Sequence, residues 1–471
     1  MHLKTQQLAT GLLLLFLQSC SLAPEYLRPK MPVADIFPAQ QTQTTSSTQE
    51  QDKAAAELGW RDYFADPVLQ QLITTALANN RDLRQSALAV ETYQAQYRIQ
   101  RAALLPTLGG SGYGAKQRTF SGGSQVTVET YSASVGITAY ELDFFGRVRN
   151  LKEDALEQYL AMEETHKSAR ISLVAEIAKA YLTLLADREM QTITGDTLHN
   201  EEESYQLVEQ RANEGIATQL ALAQARTGLE TAKANQAIYR RQVAQDLNNL
   251  TLLTGEQLPD LTTDASALST RQPFSGLPEK MSSQVLLQRP DILAAEHELK
   301  GAHANIGAAR AAFFPSISLT TNAGVMNSEL SNLFNGSSGT WLFSPSISLP
   351  IFTAGRLTSQ LNVVTIRRET SVARYEKAIQ TAFREVADAL VAQDTYGEQL
   401  AAQKANLAAN ESYYTMARDR YQEGLDSYLT LLDAQRSLYV AKQGYISLRL
   451  AQLVNQANLY KVLGGGRNER N

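Results

Sequence analysis

Tyr131-Ser-Ala-Ser-Val-Gly-Ile-Thr-Ala139, followed shortly by Gly146-Arg147, is the stretch that decides the fold. Tyr131, Ala133, Val135, Ile137 and Ala139 fall on one side of an extended chain, and Ser132, Ser134, Gly136 and Thr138 on the other. Period-two alternation of this kind marks a strand with two unlike faces. After Gly146 the period becomes helical. Residues 147–213 contain no proline and one glycine, Gly195. At 1.5 Å of rise per residue, sixty-odd residues make roughly 100 Å of helix.

The same passage occurs again 209 residues later. Pro106 matches Pro315, Gly146 matches Gly355, Arg147 matches Arg356, Gly215 matches Gly424 and Gly255 matches Gly464, all at that offset. No gap is needed, so the chain is two copies of one unit. Two copies are too few for a solenoid. They suit a ring or tube to which each chain contributes several equivalent staves.

Each copy reads in the same order. Asp66 can cap a helix that begins at Pro67, a residue suited to the first helical position. That helical stretch breaks near Asn79-Asn80 and stops at Pro106. Strands follow, with Phe120-Ser-Gly-Gly-Ser124 between them as a hairpin loop. A long helix then runs to a turn at Asn213-Glu-Gly-Ile-Ala217, and an Ala-rich helix returns to about Thr254. In copy two, Ile317, Leu319, Thr321 and Ala323 form one strand face, and Ile347, Leu349 and Ile351 continue another. The second turn is Gln422-Glu-Gly-Leu-Asp426, and its returning helix ends near Leu463. The copies thus span 67–255 and 289–464, joined by a Pro/Thr/Ser-rich connection at 256–288. Residues 465–471, with the glycines just before them, read as a frayed tail.

Four strands cannot close a membrane barrel, which starts at about eight, yet their one-sided alternation is what a barrel wall between lipid and water requires. Several chains must therefore pool their strands. Helices this long need partners along their whole length.

The N-terminus carries an address. Lys4 precedes an apolar stretch from Leu8 to Leu17, the layout of a secretory signal. The stretch ends in Leu17-Gln-Ser-Cys20, and Cys20 is the one cysteine in the chain. Residues 20–66, rich in Pro, Gln, Thr and Ser, read as an extended tether with little structure of its own.

Composition excludes several functions. The net charge is −5 without a basic tract, which argues against nucleic acid. Mean hydropathy is −0.26. His297-Glu298 is followed by His303, too far along to share a helix face as a zinc-protease motif requires. Gly109-Gly-Ser-Gly-Tyr-Gly114 opens a strand region and lacks the Lys-Ser/Thr of a phosphate loop. No nucleophile–base arrangement has a credible context, so neither an enzyme nor a metal or cofactor site is expected.

Longer segments carry a resemblance. Cys20-Ser-Leu-Ala-Pro-Glu-Tyr-Leu-Arg-Pro29, Gln288-Arg-Pro-Asp-Ile-Leu-Ala-Ala-Glu296, Leu349-Pro-Ile-Phe-Thr-Ala-Gly355 and Tyr428-Leu-Thr-Leu-Leu-Asp-Ala-Gln-Arg-Ser437 are similar to those of the OprM-like outer-membrane lipoproteins of the TolC superfamily. So is Ile306-Gly-Ala-Ala-Arg-Ala-Ala-Phe-Phe-Pro-Ser-Ile-Ser318. The resemblance covers essentially the whole chain.

It implies a mostly α protein with a membrane β-barrel portion. In such a homotrimer, four strands per chain close a 12-stranded barrel in the outer membrane above a 12-helix periplasmic barrel, with the 256–288 connection at its equator. Residues 1–19 would be removed as a lipoprotein signal and Cys20 acylated in outer-membrane lipid. The chain would be the exit duct of a tripartite multidrug efflux pump of a Gram-negative bacterium. Its partners would be a periplasmic adaptor and an inner-membrane transporter of the resistance–nodulation–division type. Leu429 and Asp433 match the family's constriction positions, and Arg420 and Tyr421 match residues that hold the closed state. Glu214, Gly215, Glu423 and Gly424 would meet the adaptor, while Pro106, Gly146, Pro315 and Gly355 mark the passages between helix and strand. The repeat places Leu220, Arg211, Ala212 and Gln224 opposite Leu429, Arg420, Tyr421 and Asp433, so the tyrosine and the carboxylate are peculiar to copy two. A duct for metal cations or for type I secreted proteins shares this architecture. A soluble trimeric coiled-coil scaffold competes from another class, but explains neither the lipoprotein signal nor the strand pairs.

Overall fold

A computed structural model describes residues 21–38, 59–258, 268, 274 and 281–465. Cys20 and the signal, part of the tether, most of the inter-repeat connection and the last tail residues lie outside these. The elements in chain order are α1 (Trp60–Tyr63), α2 (Pro67–Asn79), α3 (Arg81–Ala102), β1 (Leu108–Ser121), β2 (Ser124–Leu142), α4 (Arg147–Asn213) and α5 (Gln219–Thr254). Then come α6 (Pro290–Ala311), β3 (Ser316–Asn327), β4 (Gly339–Ser348), α7 (Arg356–Gln422) and α8 (Tyr428–Val462). The starts of α4 and α7, and also their ends, are 209 positions apart. The chain divides into two compact units: one is residues 1–30, 89–163 and 294–376, the other 31–88, 164–293 and 377–471.

The first unit holds one sheet, ordered β1-β2-β3-β4 and antiparallel throughout. Gly122 and Gly123 close the first hairpin with φ of 58° and 84°. Two consecutive positive φ values match the strand twist and favour glycine. The pairing aligns like with like. Val135 lies opposite Ala323, which lies opposite Trp341; Ile137 meets Thr321, which meets Phe343. On the other face, Ser111 meets Ser134, and Ser318 meets Ser346 at 3.0 and 2.9 Å between hydroxyls. Gly136 and Gly324 belong to this second face. A Cβ on either would stand 2.2 Å from a carbonyl oxygen of the neighbouring strand, so the strands approach there as only glycine allows.

Two details depart from the expected alternation. β2 bulges between Ile137 and Tyr140, where Ala139 takes φ of 52° and donates its N–H to Thr320 Oγ1 at 3.1 Å. The extra residue reverses the parity, so Tyr140 and Leu142, opposite Leu319 and Ile317, continue the face assigned to Ala139. β4 ends at Ser348, so Leu349 and Ile351 lie beyond the strand. Pro350 has no N–H with which to extend the ladder.

The passages between helix and strand repeat closely. Leu104 and Leu105 donate to the carbonyls of Arg101 and Ala102, and Phe313 and Phe314 to those of Arg310 and Ala311, just before Pro106 and Pro315. Gly146 and Gly355 take φ of 77° and 83° and start α4 and α7. Phe145 and Phe314 stack with centroids 4.8 Å apart.

The tether is not free where it is described. In the first unit, the buried Glu296 carboxylate accepts from Tyr26 Oη at 3.1 Å and from Arg28 Nε and Nη2 at 3.1 and 2.6 Å. Burial pushes the Glu296 pKa up, but Arg28, Lys300 and Tyr26 outweigh it and hold the group below the ordinary carboxylate range. In the second unit, Phe37 stacks on Phe383 at 5.0 Å, and α1 enters the core. Trp60 is 1% exposed, Tyr63 stacks on Tyr460 at 5.3 Å and Tyr63 Oη donates to the Gln456 carbonyl at 2.8 Å. Composition hid this because one buried aromatic outweighs many polar neighbours; truncating such a ring costs ~3–5 kcal/mol.

The rest of that core is formed by α2, α4, α5 and α8, including Leu69, Ile73, Ile177, Leu182, Leu250 and Leu453. Asp66 caps α2 by accepting from the N–H groups of Val68 and Leu69 at 2.9 and 3.1 Å. Gly464 and Gly465, read as fraying, cap α8 instead. Gly464 has φ of 73°, and the two N–H groups donate to Lys461 and Tyr460 carbonyls at 3.0 and 3.1 Å. Among the described residues, no helix is long and apolar enough to cross a membrane.

Candidate functional site

The two turns expected to meet a partner share one backbone. Gly215 and Gly424 take φ of 75° and 72°. Ile216 N–H donates to the Arg211 carbonyl and Leu425 N–H to the Arg420 carbonyl, each at 2.8 Å. Glu214, Gly215, Glu423 and Gly424 are all exposed at the tips. Behind them, Val208 and Ala225 of copy one pack with Tyr428, Leu431 and Leu432 of copy two in a small apolar cluster.

Side chains, not backbone, distinguish the turns. Tyr421 Oη accepts from Arg211 Nη1 at 3.2 Å, the guanidinium lies 5.4 Å from the Tyr421 ring centre, and that ring lies 5.8 Å from the Tyr428 ring. Tyr421 therefore ties copy two to copy one. Arg420 does something else in this chain. Its Nε and Nη2 donate to Asp426 at 2.6 and 3.2 Å, a two-pronged pair inside its own turn. That bond holds the Asp426 carboxyl below its ordinary range. Asp433 is exposed and accepts from Tyr413 Oη at 3.1 Å, linking α8 to α7. Leu429 is 60% exposed and its repeat partner Leu220 69%.

Thus the structure brings Tyr421 to Arg211, sets Asp433 and Leu429 outward on α8, and keeps Arg420 local. Arg211, Tyr413 and Asp426 went unassigned. The offset gives Arg211 as the counterpart of Arg420, and no periodicity reports that it reaches across to Tyr421. Glu201, in a run of three glutamates, is buried, with Oε2 unpartnered, against Gly228. Burial pushes its pKa up, opposed by Arg436. Among the described residues, no group of three or more His, Cys, Asp or Glu side chains could hold a metal.

Comparison with known proteins gives this geometry its context. The family described as outer membrane efflux protein matches residues 72–256 and 281–465, two segments again 209 apart. The toluene efflux pump outer membrane protein TtgC of Pseudomonas putida is 50% identical over 454 residues, 96% of this chain and 93% of that one. The cation efflux system protein CusC of Escherichia coli is 44% identical over 457 residues, covering 96% and 97%. The open-state crystal structure of the MtrE outer membrane channel of Neisseria gonorrhoeae superposes with a TM-score of 0.84 at 40% identity, covering 95% of this chain and 98% of that one. The chain belongs to the outer membrane efflux protein family: it is an efflux channel of Gram-negative outer membranes with the trimeric β-barrel-plus-α-barrel fold, spanning the membrane and reaching into the periplasm.

Proposed function

We propose that the chain is the passive exit duct of a tripartite pump that expels antibiotics and aromatic solvents. The observation that carries this reading is the sheet. Its faces are sorted into apolar and hydroxyl-bearing, and among the described residues β1 and β4 each pair on one side only. Unpaired backbone is not tolerated in lipid. Closure therefore joins β4 of one chain to β1 of the next, and three chains give twelve strands around a hydroxyl-lined lumen. A periplasmic adaptor meets the Gly215 and Gly424 turns, and an inner-membrane transporter of the resistance–nodulation–division class supplies the energy. The duct itself performs no reaction and needs no cofactor. Cys20 carries the lipid anchor; each buried acyl methylene contributes ~0.8 kcal/mol, and stable anchoring takes more than one chain.

The resting gate is a threefold constriction of Leu429 and Asp433. Tyr421 on Arg211 restrains the copy-two helices until the adaptor moves them outward. Substrate class follows the relatives at 50% identity, which include toluene and antibiotic efflux proteins. The 44% identity to a cation efflux protein supports a second reading, a duct for metal cations.

Deletion of the gene, with antibiotic, toluene and metal-cation challenges, tests both. Several-fold sensitisation to antibiotics and toluene, restored by the intact chain, is the expected result. Sensitisation to metal cations alone would establish the second reading instead. A Cys20→Ser chain should remain unacylated by mass spectrometry.

A further inference from the structure

A cavity of about 350 Å³ lies behind the turns, between α4 of copy one and α7 and α8 of copy two. We infer that it is a binding site for a small aromatic carboxylate, a role distinct from the conduction path. The argument starts from groups left unsatisfied. Gln435 and Tyr428 line the cavity and are only 7% and 8% exposed. Gln435 Nε2 and the Tyr428 hydroxyl have no hydrogen-bond partner. A buried donor left unpaired is costly, so two in one wall call for an acceptor between them. Burial, reinforced by Glu201, pushes the Tyr428 pKa up, so the hydroxyl keeps its proton and can donate.

In the wall two guanidiniums outnumber one carboxylate, with the buried Glu201 near Tyr428 acting against them. Arg211 and Arg418 both line the cavity; Arg211 spends Nη1 on Tyr421, and Arg418 spends Nε and Nη2 on Asp419, leaving further N–H groups on each. The carboxylate in the wall is Glu203, which lies 3.3 Å from His199. Tyr428 and Leu431 are also in the first turn of α8, whose N-cap Ser427 makes no side-chain cap bond. That helix end favours negative charge. The aromatic part of the ligand is specified by the rings of Tyr414, Tyr421 and Tyr428 in the same wall. The repeat supplies an internal control. The copy-one counterparts of Tyr421, Tyr428 and Gln435 are Ala212, Gln219 and Arg226, so this set of donors and rings occurs once per chain.

The inference rests on the cavity and not on the gate reading, and a binding measurement separates the two. Full-length protein in detergent is titrated with benzoate by calorimetry. Saturable binding of one benzoate per chain is expected, with acetate and benzyl alcohol at least tenfold weaker, since one lacks the ring and the other the charge. Gln435→Leu and Tyr428→Phe should each weaken benzoate about tenfold, the net worth of a hydrogen bond to a charged group. If either variant fails to assemble, Arg418→Gln, at the exposed rim, is expected to weaken benzoate several-fold while leaving benzyl alcohol unchanged. Absent saturation, equal binding of benzyl alcohol and benzoate, or unaltered affinity in the assembled variants would each overturn the assignment.

Discussion

The two helix turns of this chain have the same skeleton and different chemistry. Their left-handed glycines differ by 3° in φ, at 75° and 72°, and their reverse-turn hydrogen bonds match in partner and length. Yet Arg211 of the first turn reaches Tyr421, whereas Arg420 of the second folds onto Asp426, whose counterpart in copy one is Ala217. Duplication fixed the backbone because both copies must reverse a long helix of the same length. It left the side chains free to specialise. The lesson is that a repeat locates function by where its copies disagree.

The widest separation between the copies is expected at Asp433. Asp433→Ala should raise single-channel conductance several-fold, while Gln224→Ala, its copy-one equivalent, leaves conductance unchanged. Equal effects in assembled channels would remove the gate from copy two. A smaller rise is expected for Tyr421→Phe, which deletes the acceptor for Arg211 and costs ~0.5–1.5 kcal/mol. Because Arg420 is satisfied inside its own turn, Arg420→Ala should change conductance less than Arg211→Ala does. The reverse order would mean that Arg420 finds its working partner on a neighbouring chain.

Much of this was legible in the sequence because punctuation is local. Pro106 and Pro315 stop helices, Gly146 and Gly355 start them, and the turns sit where glycine permits positive φ. Strand faces were legible as far as Ile137, where alternation is unbroken. The bulge at Ala139 was not, since the extra residue shows only when β3 is laid beside β2. Burial of Trp60 and Phe37 was hidden in a polar stretch, because packing depends on what arrives from distant elements. For the same reason the offset could nominate Tyr421 and Asp433 but could not pair Tyr421 with Arg211, 210 positions away.

Glu201 sharpens the comparison through pH. Its copy-two counterpart is Asn410, a half-buried helix residue whose Nδ2 donates to the Asn406 carbonyl at 2.9 Å. Burial raises the Glu201 pKa in the folded state above its ordinary 4.5. The folded chain therefore binds this proton more tightly than the unfolded one, and stability falls as pH rises from that ordinary value through the folded pKa. Glu201→Gln should raise the thermal midpoint at neutral pH, with the gain shrinking on acidification. A gain independent of pH would mean that packing against Gly228, not charge, is what the substitution relieves.

The smallest difference lies at the two helix starts that leave the turns. Ala221 N–H donates to Thr218 Oγ1 at 3.2 Å, so α5 begins with a side-chain cap. At the equivalent place in α8, Ser427 makes no cap bond, and its hydroxyl lies 3.3 Å from Thr430 Oγ1. Removing a working cap costs ~1 kcal/mol, whereas removing one that is not made costs nothing at the cap. Thr218→Ala should therefore speed amide hydrogen exchange in the first turn of α5 about fivefold, the factor that corresponds to ~1 kcal/mol. Ser427→Ala should leave exchange at the start of α8 unchanged. A matching acceleration in both would show that Ser427 caps in solution and that the two helix starts are equivalent.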